Sequence, residues 1–260
     1  MWGVARAFSG RVMLRIEDHD RTRSRPEFER AILEDLDWLG FHPDAPLVRQ
    51  SERGERYEGA LEQLARRGIV YACACSRKSI GAATAPGRGE LRYPGTCREA
   101  AVDGTAELAR RVRLERAVLS FDDLRLGPIE QTPSDQAGDI LVRDRHGDWT
   151  YQFAVVVDDL DQGVDLVIRG EDLLASTGRQ IQLARLLGRE TPPLFLHHPL
   201  IARPDGQKLS KANRDTGIRD LRAAGWSVER VLGRAAGSVG LGDGEPSTLA
   251  ELLTRVRETV

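Results

Sequence analysis

The fold class is indicated by residues 11–40, RVMLRIEDHDRTRSRPEFERAILEDLDWLG, where a strand pattern leads through a charged turn into a helix pattern. Arg11–Ile16 alternates in the manner of a half-buried strand. Ser24, followed three residues later by Glu27, predicts a capping box at the start of the helix, and Gly40 is a typical helix end. A strand that leads into a helix in this way favours an α/β protein.

Strand and helix patterns alternate along the rest of the chain. Short strands are predicted at Ala109–Leu114, Asp139–Val142 and Val164–Ile168. Helices are predicted at Glu52–Arg67, at Leu173–Leu187 and from Ile218 onward. Residues Trp149–Leu160 fit either a buried strand or a buried helix, because their apolar run has no clear period.

The composition is that of a globular protein with a sizeable core. The 260 residues include 40% hydrophobic residues, and 38 Lys and Arg side chains nearly balance 40 Asp and Glu side chains. Nucleic-acid binding must therefore depend on a local patch and not on the net charge. No uncharged apolar run approaches the roughly 18 residues of a membrane span. The start of the chain also lacks a secretory signal, so we expect a cytoplasmic protein with no membrane partner.

Lysine is scarce, and its position is informative. The three lysines are Lys78, Lys208 and Lys211, and two of them lie in KLSK, residues 208–211, after the turn formers Pro204-Asp205-Gly206. A loop that carries two ammonium groups and the Ser210 hydroxyl suits a polyphosphate whose charge grows during transfer. The alternative is a solvated charged loop.

Two charged clusters follow predicted strands. Glu17 lies just past the first strand, at the edge where open α/β sheets bind ligands, and its carboxylate suits a substrate ammonium. Arg169, in VIRGED, suits a carboxylate because its planar guanidinium can bind both oxygens. Tyr151, Asp158 and Asp159 are expected to line the same cleft. The alternatives are a solvated helix-capping turn for the first cluster and a surface ion pair for the second.

Three cysteines fall within 25 residues, which argues against a disulfide framework. Cys73, Cys75 and Cys97 lie in a stretch rich in Pro and Gly, and three thiolates suit a tetrahedral zinc site. The stretch contains no histidine, which leaves the fourth ligand open between Tyr93, Glu90, Glu99 and water. Buried structural cysteines are the alternative. The pair His197-His198 is interpreted as structural.

Four motifs occur in a fixed order: LRIEDHDRTRS at 14–24, YQFAVVVDD at 151–159, VIRGEDLL at 167–174 and KLSK at 208–211. Together they resemble the catalytic domain of glutamyl-tRNA synthetases, which are class I enzymes with a Rossmann-type core. The resemblance covers nearly the whole chain, and its specificity lies in the combination of motifs. It implies an aminoacyl-tRNA synthetase-like ligase that uses ATP with Mg²⁺.

The resemblance also implies roles for individual residues. Glu17, Tyr151 and Arg169 match the glutamate-binding positions of the family. The KLSK stretch looks like the KMSKS loop that stabilises the ATP phosphates during adenylate formation. It implies ATP binding by Lys208, Ser210 and Lys211, with Lys211 as the catalytic lysine.

Within the family, the CxC and YxxxC spacings are similar to the zinc site of a shortened paralogue. That paralogue activates glutamate with ATP and transfers it to the queuosine base at the wobble position of tRNA(Asp). The similarity implies one structural Zn²⁺ held by Cys73, Cys75, Tyr93 and Cys97. It also implies ATP, L-glutamate and the tRNA(Asp) anticodon stem-loop as partners of a monomeric enzyme.

The expected domain organisation follows from the same resemblance. Residues 1–70 form the first half of a Rossmann-type core whose N-terminal strand and helix are incomplete, and residues 71–98 form a small zinc-binding insertion. Residues 99–195 complete the core. Residues 196–260 carry the KMSKS-like loop and a helical subdomain, without an anticodon-binding domain.

The start of the sequence departs from the family pattern. Family members begin with a strand, a loop and the HIGH-type motif on a helix, whereas MWGVARAF, residues 1–8, looks like the end of that helix. We favour a start codon assigned too late over a degenerate paralogue, because the downstream motifs are intact. The 260-residue chain is then expected to activate glutamate weakly or not at all. Two other hypotheses are a glutamyl-tRNA synthetase fragment that charges the tRNA 3′ end and a non-catalytic tRNA-binding paralogue that lost its ATP site.

Overall fold

A computed structural model describes residues 1–19, 24–83, 91–100, 108–200 and 217–259. The strands are β1 (Arg15–Ile16), β2 (Val48–Arg49), β3 (Val70–Cys73), β4 (Ala109–Val112), β5 (Leu119–Asp123), β6 (Gly127–Gln131), β7 (Ile140–Arg143), β8 (Leu166–Gly170) and β9 (Leu194–His198). The helices are α1 (Trp2–Ala7), α2 (Pro26–Trp38), α3 (Gly54–Arg66), α4 (Arg77–Ala83), α5 (Pro133–Gln136), α6 (Tyr151–Asp161), α7 (Thr177–Leu186), α8 (Ile218–Ala223), α9 (Val228–Ser238) and α10 (Leu249–Thr259).

The chain forms two compact units. Met1–Arg49 and His198–Val260 make up the first unit, and Gln50–His197 makes up the second. The α/β class is confirmed, and the strands pair both parallel and antiparallel. Within the described ranges, no helix combines the length and the apolar character needed to cross a membrane.

In the first unit, β1 and β2 pair in parallel, with Arg15 opposite Val48. The strand is shorter than the predicted Arg11–Ile16, because the residues before it are held partly by a side chain. The backbone N–H of Val12 donates to the Asp44 carboxylate at 2.7 Å, and the Asp44 N–H donates back to the Val12 carbonyl at 2.8 Å. A turn anchored on Asp44 therefore replaces the first part of the strand.

The start of α2 differs from the prediction, whereas its end agrees with it. The helix begins at Pro26, its N-cap is Arg25, and no side chain caps it, so the predicted capping box at Ser24 is wrong. Proline at the first helical position fixes the backbone for a helix without needing a cap, since it has no N–H to satisfy. Gly40 follows the helix with φ of +73°, a left-handed conformation that favours glycine.

Helix faces of the first unit pack around a small apolar cluster. Leu39 at the end of α2 is buried with Val231 and Leu232 of α9. Near the start of the chain, the Trp2 and Phe41 rings stack with centroids 5.2 Å apart. These contacts hold α2 and the C-terminal helices in one unit.

The second unit contains two sheets. In the first sheet, β4 lies between β3 and β7 and pairs antiparallel with both. In the second sheet the strand order is β6-β5-β9-β8, with β5 antiparallel to β6 and parallel to β9. Asp123, the last residue of β5, is in register with Phe195 of β9.

Helix α6 settles the ambiguity at Trp149–Leu160. The segment is a helix whose residues Phe153–Val157 and Asp158 are all buried, because it packs between α3, α7 and β7. A helix that is covered on all sides loses the alternation of apolar and polar residues on which the prediction relied. The core around it includes the fully buried Tyr57, Leu64 and Leu183.

The other predicted elements of the second unit are present with shifted ends. Helix α3 begins at Gly54 after a short 3₁₀ turn, and Ala60 is buried on its inner face. Helix α7 begins at Thr177, since Glu171–Ser176 form a 3₁₀ turn instead of the first part of the helix.

Candidate functional site

Arg169 lies next to the last residue of β8 and is held by three neutral side chains. Its Nε donates to His197 Nε2 at 3.1 Å, Nη1 donates to Gln180 Oε1 at 2.6 Å, and Nη2 donates to Thr177 Oγ1 at 2.7 Å. These bonds fix the plane of the guanidinium group. The alternative of a simple surface ion pair does not describe this environment.

Tyr151, the first residue of α6, lies beside this guanidinium. Burial lowers the pKa of Arg169, while a hydrogen bond with Tyr151 and the charge of Asp159 act in the opposite direction. Arginine titrates far above neutral pH, so the group stays charged. The structure therefore brings Tyr151 and Arg169 together, as their proposed common role in glutamate binding requires.

His197, which accepts the hydrogen bond from Arg169 Nε, is fully buried. Its Nδ1 lies 2.7 Å from Asp123 Oδ2, which also accepts the backbone N–H of His197 at 2.9 Å. Burial lowers the pKa of His197, which favours a neutral ring. The pKa of Asp123 is lowered because, although burial raises it, the hydrogen bonds from His197 and from the backbone N–H groups of Leu126 and Arg125 outweigh that effect.

The three residues lie at the ends of neighbouring strands. Asp123 ends β5, His197 is next to last in β9, and Arg169 is next to last in β8. Ligands of open α/β sheets bind at this edge of the sheet. The sequence patterns assigned His197 only a structural role and gave no signal for Asp123, because 74 positions separate the two residues.

Further polar side chains extend from Arg169 toward a cavity. Gln180 Nε2 donates to Gln152 Oε1 at 2.8 Å, and Gln152 Nε2 donates in turn to Ser176 Oγ at 3.0 Å. Gln152 and Tyr151 line a cavity of about 520 Å³ that also reaches Cys75. Tyr151 and the thiol cluster therefore border one cavity of the second unit.

Glu17 lies directly after β1 in the first unit. Its side chain is 42% exposed, and one carboxylate oxygen is 3.5 Å from Arg15 Nη2. A carboxylate just past the end of a strand agrees with the sequence pattern, and its binding of a substrate ammonium stays a prediction. Lys208, Ser210 and Lys211, expected to bind ATP, lie outside the described residues.

Asp158 lies in the core of the second unit and not in the expected substrate cleft. Its carboxylate is fully buried and accepts hydrogen bonds from Gln50, Arg53 and Tyr57, at 2.7, 2.6 and 3.0 Å. The expectation that Asp158 lines the substrate cleft is wrong, because the side chain points from α6 toward α3 and its 3₁₀ turn. It joins elements of the core.

The three thiols converge as the zinc prediction requires. Cys73, Cys75 and Cys97 have sulfur atoms that all lie within 4.8 Å of one another, and Cys75 and Cys97 are 3.6 Å apart. The Tyr93 hydroxyl is 3.5 Å from Cys73 Sγ and accepts the Cys97 backbone N–H at 2.8 Å. All four residues that the family resemblance implied as ligands are therefore adjacent.

These positions fit a zinc ion. Zn–S bonds of about 2.3 Å in a tetrahedral site place sulfur atoms about 3.8 Å apart, close to the Cys75–Cys97 separation. Among the other candidate fourth ligands, Glu99 forms an ion pair with Arg113 at 3.0 Å, and Glu90 lies outside the described residues. Tyr93 is therefore the described oxygen donor that best completes the set.

Arg111 adds a positive charge to the cluster. Its Nε donates to Cys73 Sγ at 3.3 Å, and its guanidinium carbon lies 3.7 Å from the centre of the Tyr93 ring. Burial raises the pKa of the Cys73 thiol, but the hydrogen bonds from Tyr93 and Arg111 outweigh it, so the pKa is lowered overall. Burial and the neighbouring thiols raise the pKa of Cys75 to about 11. The Arg111 guanidinium therefore favours the ionised form of the Cys73 thiol.

Comparison with known proteins first defines the class. Residues 1–235 match the family model described as tRNA synthetases class I (E and Q), catalytic domain. A charged site at the carboxyl ends of neighbouring strands in an α/β unit agrees with that class.

Curated relatives narrow the comparison. A glutamyl-Q tRNA(Asp) synthetase from Bordetella bronchiseptica is 46% identical over 217 residues, which cover 82% of this chain and 68% of that protein. A glutamyl-Q tRNA(Asp) synthetase from Nitratidesulfovibrio vulgaris is 39% identical over 259 residues, covering 92% of this chain and 79% of that protein. The chain belongs to the class I synthetase family and, within it, to the group of proteins named glutamyl-Q tRNA(Asp) synthetase.

Solved structures share the fold. The crystal structure of a glutamate tRNA ligase from Elizabethkingia meningosepticum in complex with its amino acid matches with a TM-score of 0.78 and 24% sequence identity. A glutamate-tRNA synthetase from Elizabethkingia anophelis gives the same TM-score. The match covers 97% of this chain, which spans 59% of the first solved structure and 60% of the second.

Proposed function

We propose that the protein activates glutamate with ATP and transfers it to the queuosine base at the wobble position of tRNA(Asp). The names of the curated relatives support this choice of amino acid and tRNA. The observation that carries the proposal is Arg169, held beside Tyr151 at the strand ends of the second unit. A fixed, permanently charged guanidinium is the group best suited to a substrate carboxylate.

Activation begins with glutamate held by its charged groups. Arg169 and Tyr151 orient the substrate, and Glu17 binds the α-ammonium. The α-carboxylate oxygen then attacks the α-phosphorus of ATP, forming a P–O bond while the bond to pyrophosphate breaks. Lys211, with Lys208 and Ser210, neutralises the phosphates together with the Mg²⁺ that accompanies ATP, which lowers the barrier by placing charge where it develops.

Transfer follows at the activated carbonyl. A ring hydroxyl of queuosine attacks the carbonyl carbon, an ester bond forms, and AMP leaves. The cavity of about 520 Å³ beside Tyr151 and Gln152 provides space next to the activated group. Because both reactants are held in place, positioning and charge stabilisation supply most of the catalysis.

The proposal also assigns the supporting parts of the protein. One structural Zn²⁺ is held by Cys73, Cys75, Tyr93 and Cys97, and when bound it cross-links the insertion at residues 71–98. Residues 1–70 and 99–195 form the catalytic core, and residues 196–260 carry the ATP loop and helices. The protein acts in the cytoplasm as a monomer on ATP, L-glutamate and the tRNA(Asp) anticodon stem-loop.

The test is glutamate-dependent ATP–pyrophosphate exchange. It is measured on the 260-residue chain and on the chain extended by any residues encoded in frame before Met1. Lys211→Ala is expected to lower exchange by about a hundredfold or more without a change in the unfolding midpoint, because a charge that stabilises the transition state is lost. Lys78→Ala, on α4, is the matched control and should retain exchange.

The acceptor is tested with two preparations of tRNA(Asp), one with queuosine and one with unmodified guanosine at the wobble position. Labelled glutamate should enter only the queuosine form, and enzymatic removal of the 3′-terminal adenosine should not prevent its incorporation. Incorporation that depends on an intact 3′ end would instead support a synthetase that charges tRNA. Absence of exchange from both chains would reject the enzyme in favour of a binding protein.

A further inference from the structure

Two residues at the strand ends, Asp123 and His197, lie outside the family motifs but connect to Arg169, which lies within one. Asp123, His197 and Arg169 form a continuous line of hydrogen bonds across β5, β9 and β8. The Asp123 and His197 side chains are fully buried, so they are not placed to contact a substrate themselves. They reach the site through Arg169 and through Thr177, whose Oγ1 lies 3.2 Å from His197 Nε2 and accepts from Arg169.

The hydrogen bonds of His197 determine which of its two ring nitrogens carries the proton. Asp123 Oδ2 accepts from both the backbone N–H and the ring Nδ1 of His197, at 2.9 and 2.7 Å. Nδ1 must therefore carry a proton. Nε2 faces the Nε–H of Arg169 at 3.1 Å, and since arginine can only donate, Nε2 must be an unprotonated acceptor.

Further contacts fix the positions of the His197 ring and of the Arg169 guanidinium. His197 stacks on Phe195 with ring centroids 6.0 Å apart, and the Arg169 guanidinium carbon lies 5.7 Å from the centre of the Phe195 ring. Thr177 and Gln180 accept from the terminal nitrogens of Arg169. Together with His197 these bonds leave one N–H on each terminal nitrogen for Tyr151 and for a bound carboxylate.

We propose that Asp123 and His197 are positioning residues that hold Arg169 in the orientation needed to bind the carboxylate of the amino-acid substrate. Asp123 selects the Nδ1-protonated tautomer, and that tautomer offers Nε2 to Arg169. If the tautomer changed, an Nε2–H would face the Arg169 Nε–H, and the guanidinium would be displaced by the meeting of two donors. This inference rests on the proposed function for the identity of the ligand.

Paired substitutions at one position separate the two bonds of His197. The amide of His197→Asn can reach Asp123 but not Arg169, whereas the amide oxygen of His197→Gln can reach the Nε2 position and accept from Arg169. In the exchange assay we expect His197→Asn to raise the KM for glutamate by about tenfold or more, because a hydrogen bond to a charged group is lost. The kcat and the KM for ATP should change little, since the loss concerns glutamate binding.

Rescue and control variants identify the cause. His197→Gln should recover most of the affinity for glutamate, because its amide oxygen can accept from Arg169. A merely structural role of the ring would not explain that recovery, since neither Gln nor Asn restores the ring. His198→Asn, at the neighbouring residue whose ring bonds only the Pro199 carbonyl in the described contacts, should leave both KM values unchanged. Equal glutamate KM values for the wild type and His197→Asn would overturn the inference.

A spectroscopic measurement tests the hydrogen bonds among Asp123, His197 and Arg169 without an enzyme assay. Side-chain ¹⁵N NMR of the wild-type protein should show His197 protonated at Nδ1 and bare at Nε2, with a hydrogen-bonded Arg169 Nε–H. His197→Asn should release that Nε–H signal and His197→Gln should retain it. A wild-type His197 protonated at Nε2 would overturn the inference. Absence of glutamate-dependent exchange with these signals intact would instead reject the proposed enzyme function and leave the arrangement of Asp123, His197 and Arg169 standing.

Discussion

The thiol cluster shows how one residue changes the chemistry of its neighbours. Three sulfur atoms within 4.8 Å of one another repel when ionised, so they need a positive partner. Arg111 supplies one such charge to Cys73, while Cys75, further from it in the hydrogen-bond network, keeps a raised pKa of about 11. A divalent cation would supply the remaining charge, because thiols bind zinc as thiolates.

Zinc content is the direct measurement of that assignment. We expect about one zinc per purified chain, reduced to a small fraction in Cys75→Ser because one thiolate ligand is lost. Tyr93→Phe should lower zinc retention against a chelator, since it removes the fourth donor. Elemental analysis and the thermal unfolding midpoint with and without chelator are the measurements.

Tyr71 provides the matched control for Tyr93. Its hydroxyl donates to Asp139 Oδ2 at 2.6 Å and also interacts with the Tyr93 hydroxyl, and its ring packs against the same cluster without approaching the sulfurs in the described contacts. Tyr71→Phe should therefore keep its zinc even if it unfolds at a lower temperature. Equal zinc retention by Tyr93→Phe and the wild type would remove Tyr93 from the ligand set, and zinc-free wild-type protein would remove the metal site.

Among the helices, α9 depends on close backbone approach. Gly233 lies inside it and is buried, and a methyl group there would collide with the carbonyl group of Glu245. The segment around Pro246 can pack on the helix only because that position has no side chain. Gly59, inside α3, has open space in place of a side chain.

Alanine at these two glycines should have opposite effects. Gly233→Ala is expected to lower the free energy of unfolding by about 1–3 kcal/mol, because the loop must move away. Gly59→Ala is expected to raise it by about 0.5–1 kcal/mol, since alanine loses less backbone entropy in a helix. Urea denaturation followed by circular dichroism measures both. Similar values for the two variants would show that the contact between α9 and residues 245–246 is absent in solution.

The ends of helices were predictable where a glycine follows the helix. Gly40 and Gly68 follow α2 and α3 with positive φ, and the sequence predicted the end at Gly40 because glycine adopts that conformation without strain. The starts were less predictable. Ser24 could not cap a helix that begins at Pro26, and the helix predicted from Leu173 begins four residues later, at Thr177.

Across the second unit, ion pairs join α3 to α6. Asp161 is bound by Arg53 and Arg56, the latter at 2.7 Å, beside the buried Asp158. Burial raises the pKa of Asp161, but the hydrogen bonds and charges of Arg56 and Arg53 outweigh it and lower the pKa overall. A carboxyl group whose pKa is lower in the folded than in the unfolded chain stabilises the fold above the unfolded value and loses that effect as the pH falls.

The pH dependence of stability should therefore change in Asp161→Asn. At neutral pH this variant should unfold about 1 kcal/mol more readily than the wild type, a modest effect because Arg56 is partly exposed. The difference should persist down to the ordinary aspartate pKa near about 3.9 and close as the pH falls further, because the wild-type carboxyl then takes up its proton. Unfolding by urea at a series of pH values measures it.

The control for that series is Asp122→Asn, at an exposed position on β5. It should follow the wild type throughout the acid range, because it does not join two elements of the core. A constant difference between Asp161→Asn and the wild type at every pH would mean that lost packing, and not the ionised carboxylate, causes the effect.

The candidate site residues are distributed over the whole molecule. Glu17 belongs to the first unit, whereas Tyr151, Arg169 and the four proposed zinc ligands belong to the second. The family match spans residues 1–235 and so includes both units.

The sequence by itself determined the α/β class and the helix ends at glycine, and it supplied the candidate residues for chemical function. It could do so because turn glycines, thiol spacing and an arginine after a strand are local signals that do not depend on distant partners. The motif order then made the family recognisable. The proposed zinc ligands of the second unit are the clearest case, since Cys73, Cys75, Tyr93 and Cys97 are adjacent in the structure as that resemblance implied.

Only the tertiary structure decided which residues act together. The segment Trp149–Leu160 became a helix because it is covered on every side, which removes the period that sequence reasoning needs. Asp158 turned into the core, and Asp123 met His197 across 74 positions because β5 and β9 lie side by side. Strand pairing brings together residues that are far apart in the chain, and for that reason the support of Arg169 could not be predicted from its neighbours in the sequence.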